Sequence, residues 1–176
     1  MELLENLQKL KKQLSRADFE RRFPHPGLIR ELEDDERPAL FRTMVTNVKR
    51  TPPSPLKRPI GSGGMAALLG SEPGRFGLYP IAKSGTNPWS DRILVGRAAN
   101  NDIVLRNDRI SKLHAYFQTA KGVWKLHDAR SANGTRVDGT VVPPGDAGTE
   151  IQTGNTLMFG TITAEIIDSG ELYDSL

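Results

Sequence analysis

Hydrophobic positions follow two different rhythms along the 176-residue chain. Near the start, Leu3, Leu7, Leu10 and Leu14 recur at i, i+4, i+7 and i+11 among Glu, Gln and Lys, which predicts an amphipathic helix with a narrow apolar stripe. Two heptads are too few for an independent coiled coil, so the stripe is expected to pack on its own protein or on a partner. Arg16 to Phe23 continues or restarts that helix. Pro24-His25-Pro26-Gly27 then breaks it, because proline lacks an amide proton and restricts its predecessor. Leu28 to Leu32 reads as a short helical turn and Glu31 to Arg37 as a solvated face. Pro38 is placed to start a helix reaching Val48, with Leu40, Phe41, Met44, Val45 and Val48 as its apolar face.

From Met65 the period changes to two. Ala66 to Leu69, the turn Ser71-Glu72-Pro73-Gly74 and Phe76 to Ile81 predict an opening hairpin. Ile93 with Val95, and Ile103 with Leu105, mark two short half-buried strands. His114 to Thr119 and Val123 to His127 form a pair around Lys121-Gly122. Thr135 to Val137 and Thr140-Val141 flank Asp138-Gly139, a strong hairpin signal. Glu150-Ile151, Thr156 to Phe159 and Thr161 to Ile167 complete the series. About 11 short strands without a helical period predict an all-β fold, an antiparallel β-sandwich.

The loops between these strands carry the candidate chemistry. Gly96-Arg97 ends one strand and Asn107-Asp108-Arg109 follows the next, so the loops hold Arg97, Arg106, Arg109, Ser111 and Lys112. Asn133 and Thr135 sit in a later loop. Cations, hydroxyls and an amide gathered at strand ends suit an oxyanion, since charge-assisted hydrogen bonds to phosphate are the strong ones. No nucleophile–base pair stands among them, which points to binding and not to an enzyme.

Gly96-Arg97, Asn101-Asp102-Ile103, Ile110-Ser111-Lys112-Leu113-His114-Ala115, Asp128 with Ser131-Ala132-Asn133-Gly134-Thr135, then Gly154-Asn155 and Phe159-Gly160 occur in an order that resembles the forkhead-associated (FHA) domain. The resemblance covers about residues 64–168. It implies a phosphothreonine-binding module that works through loops at one end of the sandwich. By position, Arg97 and Ser111 match the residues that hold the phosphate, and Asn133 the amide that bonds the peptide backbone. Lys112 falls where the family often has Arg or Asn. Arg109 lies where some members contact a side chain a few residues after the phosphothreonine. His114 matches a histidine that braces the loops from inside, and Gly96, Gly134 and Thr135 are expected to be architectural. Asp128 is expected to anchor a turn and His127 to be an ordinary surface or edge residue. Two departures stand out: Ala132 replaces a hydroxyl found in some members, and the loop Ser84 to Asp91, with Trp89, is longer than in most. Trp89 is expected to cover its own loop.

Charge and composition narrow the alternatives. The net charge of +3 is uneven. Residues 1–70 carry 13 Lys+Arg against 9 Asp+Glu, whereas residues 71–176 carry 11 against 12. The strand-rich part thus lacks the broad basic face that nucleic acid requires, and no nucleic-acid partner is expected. With no cysteine and three scattered histidines (His25, His114, His127), neither a metal nor another cofactor is expected. No run of about 18 apolar residues occurs, so no membrane partner is expected, and charge interrupts the leucines of the first twelve residues, as no signal-peptide core allows. A cytoplasmic location is the expectation. Arg50 to Gly64 is proline- and then glycine-rich without periodicity and reads as a linker. The chain therefore divides into a helical region at 1–50, a linker at 51–64, the sandwich at 65–168 and a tail at 169–176.

The expected partner is a protein carrying a phosphothreonine made by a Ser/Thr kinase, with residues 1–50 available for a second partner or self-association. Two other readings stay open. The sandwich could be a phosphate-independent scaffold with an oligomerising arm. It could also bind its own N-terminal segment, phosphorylated at Thr43, Thr46 or Thr51, as some bacterial FHA regulators do.

Overall fold

Hydrogen-bond pairing sorts the strands of the computed structural model into two sheets that face each other; it describes residues 2–33, 36, 75–85 and 87–176. In chain order the strands are β1 (Glu2–Leu3), β2 (Gly27–Glu31), β3 (Phe76–Pro80), β4 (Ile93–Gly96), β5 (Ile103–Val104) and β6 (Ala115–Ala120). Then come β7 (Val123–Asp128), β8 (Thr135–Val137), β9 (Thr140–Val141), β10 (Thr149–Ile151), β11 (Thr156–Phe159) and β12 (Ile162–Ile167). A seven-stranded sheet runs β1-β3-β2-β12-β11-β8-β9 and a five-stranded sheet runs β10-β7-β6-β4-β5. Every pairing between them is antiparallel except β4 with β5. The fold is the all-β sandwich that the period of two predicts.

The core lies between the sheets. Ile93 and Val95 of β4, Ala115 and Phe117 of β6, Leu157 and Phe159 of β11, and Ile162, Ala164 and Ile166 of β12 point into it. Their alternate neighbours point outwards, as a pleated strand requires. Asp138 and Gly139 both take positive φ, 48° and 82°, in the turn joining β8 to β9. That is the turn type whose twist matches a hairpin.

The N-terminal region departs from expectation. Residues 27–31, read as a helical turn, form β2, an interior strand of the larger sheet between β3 and β12. Gly27 to Arg30 are all buried, so no period of two shows. Leu28 opposite Tyr79 faces the sandwich core, and Ile29 opposite Leu78 faces the other way. Arg30 lies on the inner face at 2% exposure, where it ion-pairs with Glu36 and donates to the Tyr79 hydroxyl at 3.0 Å. A buried guanidinium is tolerable only when so paired. Leu32 N–H donates to the Arg75 carbonyl at 2.7 Å, so the chain leaves β2 and returns to β3 at one point. The Pro/Gly-rich stretch at 51–64 therefore falls inside the connection between two adjacent strands. The helix expected at 38–48, the linker and the strand expected at 66–69 lie outside the described residues.

Helices α1 (Leu4–Gln13), α2 (Arg16–Arg22) and α3 (Ser169–Ser175) cover the outer face of the seven-stranded sheet. The leucine stripe packs on its own protein: Leu7 and Phe19 join Ile29, Phe76, Leu78, Ile167 and Leu172 in a second apolar core, with Leu10, Leu14 and Phe23 at its margin. Ser15 separates α1 from α2 by capping the latter, its hydroxyl accepting from Asp18 N–H at 3.2 Å. The stretch at 169–176, expected to be a tail, is α3. It starts at Asp168, whose carboxylate accepts from Glu171 N–H at 2.8 Å.

Candidate binding site

The loops that follow β4, β5 and β7 meet at one end of the sandwich, and hydrogen bonds fix them to one another. Gly96 closes β4 where the chain must pass tightly: a Cβ there would lie 2.3 Å from the Lys112 carbonyl oxygen. Arg97 N–H donates to the Ser111 carbonyl at 3.0 Å and Ala98 N–H to that of Lys112 at 3.2 Å. The Asn101 amide ties the same two stretches together, donating to the carbonyls of Ala98 and Lys112, each at 2.7 Å. Arg97 and Ser111 are thus held side by side through their backbones.

His114 joins this pair to the later loop. Fully buried, it accepts at Nδ1 from Ser111 N–H at 3.1 Å, and its Nε2 meets the Gly134 carbonyl at 3.1 Å. One nitrogen accepts and the other donates, which is the neutral ring with its proton on Nε2. Burial pushes its pKa below the usual histidine value, against the opposing pull of the Gly134 carbonyl and Asp128.

Two further bonds cross the rim. Ser111 Oγ accepts from Ala132 N–H at 3.0 Å, and Asn133 Nδ2 donates to the Arg109 carbonyl at 2.6 Å. Below them, buried Asp128 accepts from Ser131 N–H (2.9 Å), Ser131 Oγ (2.7 Å) and Thr135 Oγ1 (2.6 Å). Burial alone would raise the Asp128 carboxyl, but the hydrogen bonds from Thr135 and Ser131 outweigh it and hold it below its ordinary value. Gly134 takes a φ of 75° to turn its carbonyl onto His114.

Of the residues singled out from the sequence, Arg97, Arg109, Lys112 and Asn133 are exposed on this rim and Ser111 is half-buried. Among the described residues, no carboxylate pairs with Arg97, Arg109 or Lys112. Gly96, His114, Gly134 and Thr135 lie behind them. The rim thus presents three cations, a hydroxyl and an amide, set on backbone that the polar network immobilises. Such a surface can hold a dianionic oxyanion without reorganising.

Several residues here have places or roles that the sequence did not disclose. Arg130, exposed with a φ of 60°, adds a fourth cation beside Ser131. Its place between Asp128 and Ser131 was the available signal. Asn107 accepts from Arg109 N–H at 2.8 Å and donates to Glu33 Oε1 at 2.8 Å, joining the rim to the end of β2. Asp102, its side chain wholly buried, accepts from Ser84 N–H, Leu94 N–H and the Asn87 amide, so it pins the long loop after β3. His127 is buried at 4% exposure and stacked on Tyr116 at 4.6 Å, which corrects its reading as a surface residue. Trp89, expected to cover its loop, is 48% exposed.

The fold and this rim define a β-sandwich whose one end presents cations, a hydroxyl and an amide on hydrogen-bonded loops. Residues 93–160 match the sequence model of the FHA domain, so the chain contains an FHA domain. No curated protein matches the chain. Among solved structures, it is similar to the N-terminal FHA domain of S. cerevisiae Rad53p in complex with a phosphothreonine peptide. That match has 18% identity over 57% of this chain and 90% of that one, at a TM-score of 0.44. Mycobacterium tuberculosis EmbR in complex with a low-affinity phosphopeptide matches at 22% identity over 54% of this chain, with a TM-score of 0.43; the match spans 22% of the EmbR chain. An FHA domain of an Arabidopsis thaliana hypothetical protein matches at 25% identity over 44% of this chain and 66% of that one, with a TM-score of 0.41. No helix among the described residues is long and apolar enough to cross a membrane.

Proposed function

We propose that the chain is a phosphothreonine-dependent adaptor, which docks by this rim on a protein phosphorylated by a Ser/Thr kinase and acts by binding, not catalysis, in the cytoplasm. One observation carries the reading: Ser111 Oγ, fixed by Ala132 N–H, sits beside exposed cations at Arg97, Arg109 and Lys112 that no carboxylate of the described residues neutralises. Arg97 would supply a guanidinium fork and Ser111 a hydroxyl donor to the phosphate, with Lys112 as a further point charge. Asn133 would bond the peptide backbone and set its register. Arg109 would meet a side chain beyond the phosphothreonine. Each hydrogen bond to a charged group contributes roughly 1.5–3 kcal/mol. Two or three of them with backbone contacts would reach micromolar affinity, about −8 kcal/mol, after ordering costs.

The test is calorimetric titration of the full chain with phosphothreonine peptides, with phosphoserine and unphosphorylated peptides as controls. Arg97→Ala is expected to weaken binding at least thirtyfold, about 2 kcal/mol, and Ser111→Ala less, both with unchanged folding. Equal binding of phosphorylated and unphosphorylated peptides, or an Arg97→Ala variant with wild-type affinity, would sink the proposal.

A further inference from the structure

Beside the rim, on the outer face of the five-stranded sheet, lies a cavity of about 220 Å³ lined by Trp89, Leu94, Leu113, Tyr116 and Arg130. Leu94 and Tyr116 are outward neighbours of core residues on β4 and β6, paired across the sheet. Leu113, 37% exposed, and Trp89, 48% exposed, form two of its edges. Among the described residues only two other large hydrophobic side chains are exposed, Val123 and Val141. Half of the exposed large apolar side chains thus border one cavity, an arrangement that marks a contact surface rather than scatter.

The walls are fixed. Trp89 N–H donates to Asn87 Oδ1 at 2.9 Å and its carbonyl accepts from Lys83 Nζ at 2.6 Å, while Asn87 is itself bonded to buried Asp102. Tyr116 stacks on His127, lies under the Arg92 guanidinium at 4.7 Å, and donates its hydroxyl to Asp146 at 3.1 Å. Arg92, Arg130, Asp128 and Asp146 also line the cavity, so its apolar walls stand among charges, and a preset backbone lets it bind without a large ordering cost.

The cavity is also continuous with the rim through the backbone. Leu113 directly follows Lys112 and is two residues from Ser111. Arg130 is two residues from Ala132, whose N–H holds Ser111 Oγ. Asn133, tied to the Arg109 carbonyl, stands apart from the cavity, which it does not line. Leu113 and Arg130 thus border the cavity within two residues of the rim residues Ser111 and Ala132.

We infer that this cavity is a second subsite of the peptide surface, taking an aromatic or branched aliphatic side chain that the partner carries on the side of the phosphothreonine away from Asn133. The inference rests on the phosphopeptide reading above. Leu113 and Trp89 then set which phosphorylated sites are accepted, while Arg97 and Ser111 set the requirement for phosphate.

The experiment exposes the full chain, with Leu113→Glu and Trp89→Ala variants, to a phosphothreonine peptide library randomised on both sides. The selected peptide and its apolar-to-Ala version are then titrated. The wild type is expected to select an apolar residue at one fixed position, and both variants to lose that selection while still requiring phosphothreonine. Affinity for the selected peptide should fall about tenfold, some 1.4 kcal/mol, on changing either side. Changing both together should cost little more, the mark of a direct contact. Phosphothreonine binding without an apolar preference, or a preference that both variants keep, overturns the subsite and leaves the phosphopeptide reading standing. No phosphothreonine-dependent binding by the wild type overturns both.

Discussion

The two outer faces of the sandwich are built by the same alternation and treated in opposite ways. On the seven-stranded sheet the outward side chains Ile29, Phe76, Leu78 and Ile167 form an apolar patch under α1, α2 and α3, with buried Glu165 opposite Ile29 on the same face. On the five-stranded sheet they are Leu94, Tyr116 and His127, one aliphatic and two with a polar tip, and no helix among the described residues covers them. The first face contributes stability. The second carries an Arg92–Tyr116–His127 stack that no helix of the described residues covers. What a strand exposes outward therefore tells whether the fold intends to close that face.

The sharpest way to break this contrast is on the covered face. Phe19 is fully buried and meets Phe23 and Tyr173 edge-on or tilted at 4.7 and 5.4 Å. Phe19→Ala should cost about 3–4 kcal/mol in urea unfolding, since it combines lost burial with a cavity. Next is the support of the rim. Asp128→Ala removes the acceptor for Thr135, Ser131 Oγ and Ser131 N–H. It should cost about 2–3 kcal/mol, with phosphopeptide affinity falling alongside because the 131–134 loop loses its anchor.

A smaller effect concerns pH. Burial lowers the pKa of His114 and of His127 in the folded chain; Asp146, Arg92 and Lys125 also act on His127. The unfolded chain then binds protons at higher pH than the folded one, so stability is full above the ordinary histidine value of 6.5 and declines as pH falls below it. Melting followed from pH 7.5 to 5 should show that decline, and His127→Phe should flatten part of it while keeping the Tyr116 stack. A slope unchanged by the substitution would remove His127 from the account. Smallest is Trp89→Ala, which should change stability by under about 0.5 kcal/mol because the ring is half-exposed. A larger loss would mean that the second face is closed by its own loop after all.

Much of this was legible from residues alone. Asp138-Gly139 announced its hairpin, and alternation located β4, β6, β7, β11 and β12 to within a residue or two. The rim could be assembled from the spacing of Arg97, Ser111, Lys112 and Asn133 and the family resemblance, since turn and strand-end residues carry their own local signals. β2 was not legible. Buried on both faces and holding Arg30, it shows neither alternation nor a uniform apolar run, and only its pairing with β3 and β12 makes it a strand. α3 was missed although Asp168 and Glu171 are spaced as a helix start, because about two turns offer little apolar periodicity. The burial of His127 depends on Tyr116 across β6, which no local pattern records.

The clamp between Leu32 N–H and the Arg75 carbonyl has a consequence for how this protein can be altered. Because both feet of the intervening residues 33–74 are fixed at one point of the sheet, the register of β2 and β3 does not depend on how many residues lie between them. Closing a loop twice as long costs only about 0.6 kcal/mol more. Glu36 on this connection holds buried Arg30, and Glu33, bonded to Asn107, sets the start of the connection next to the rim.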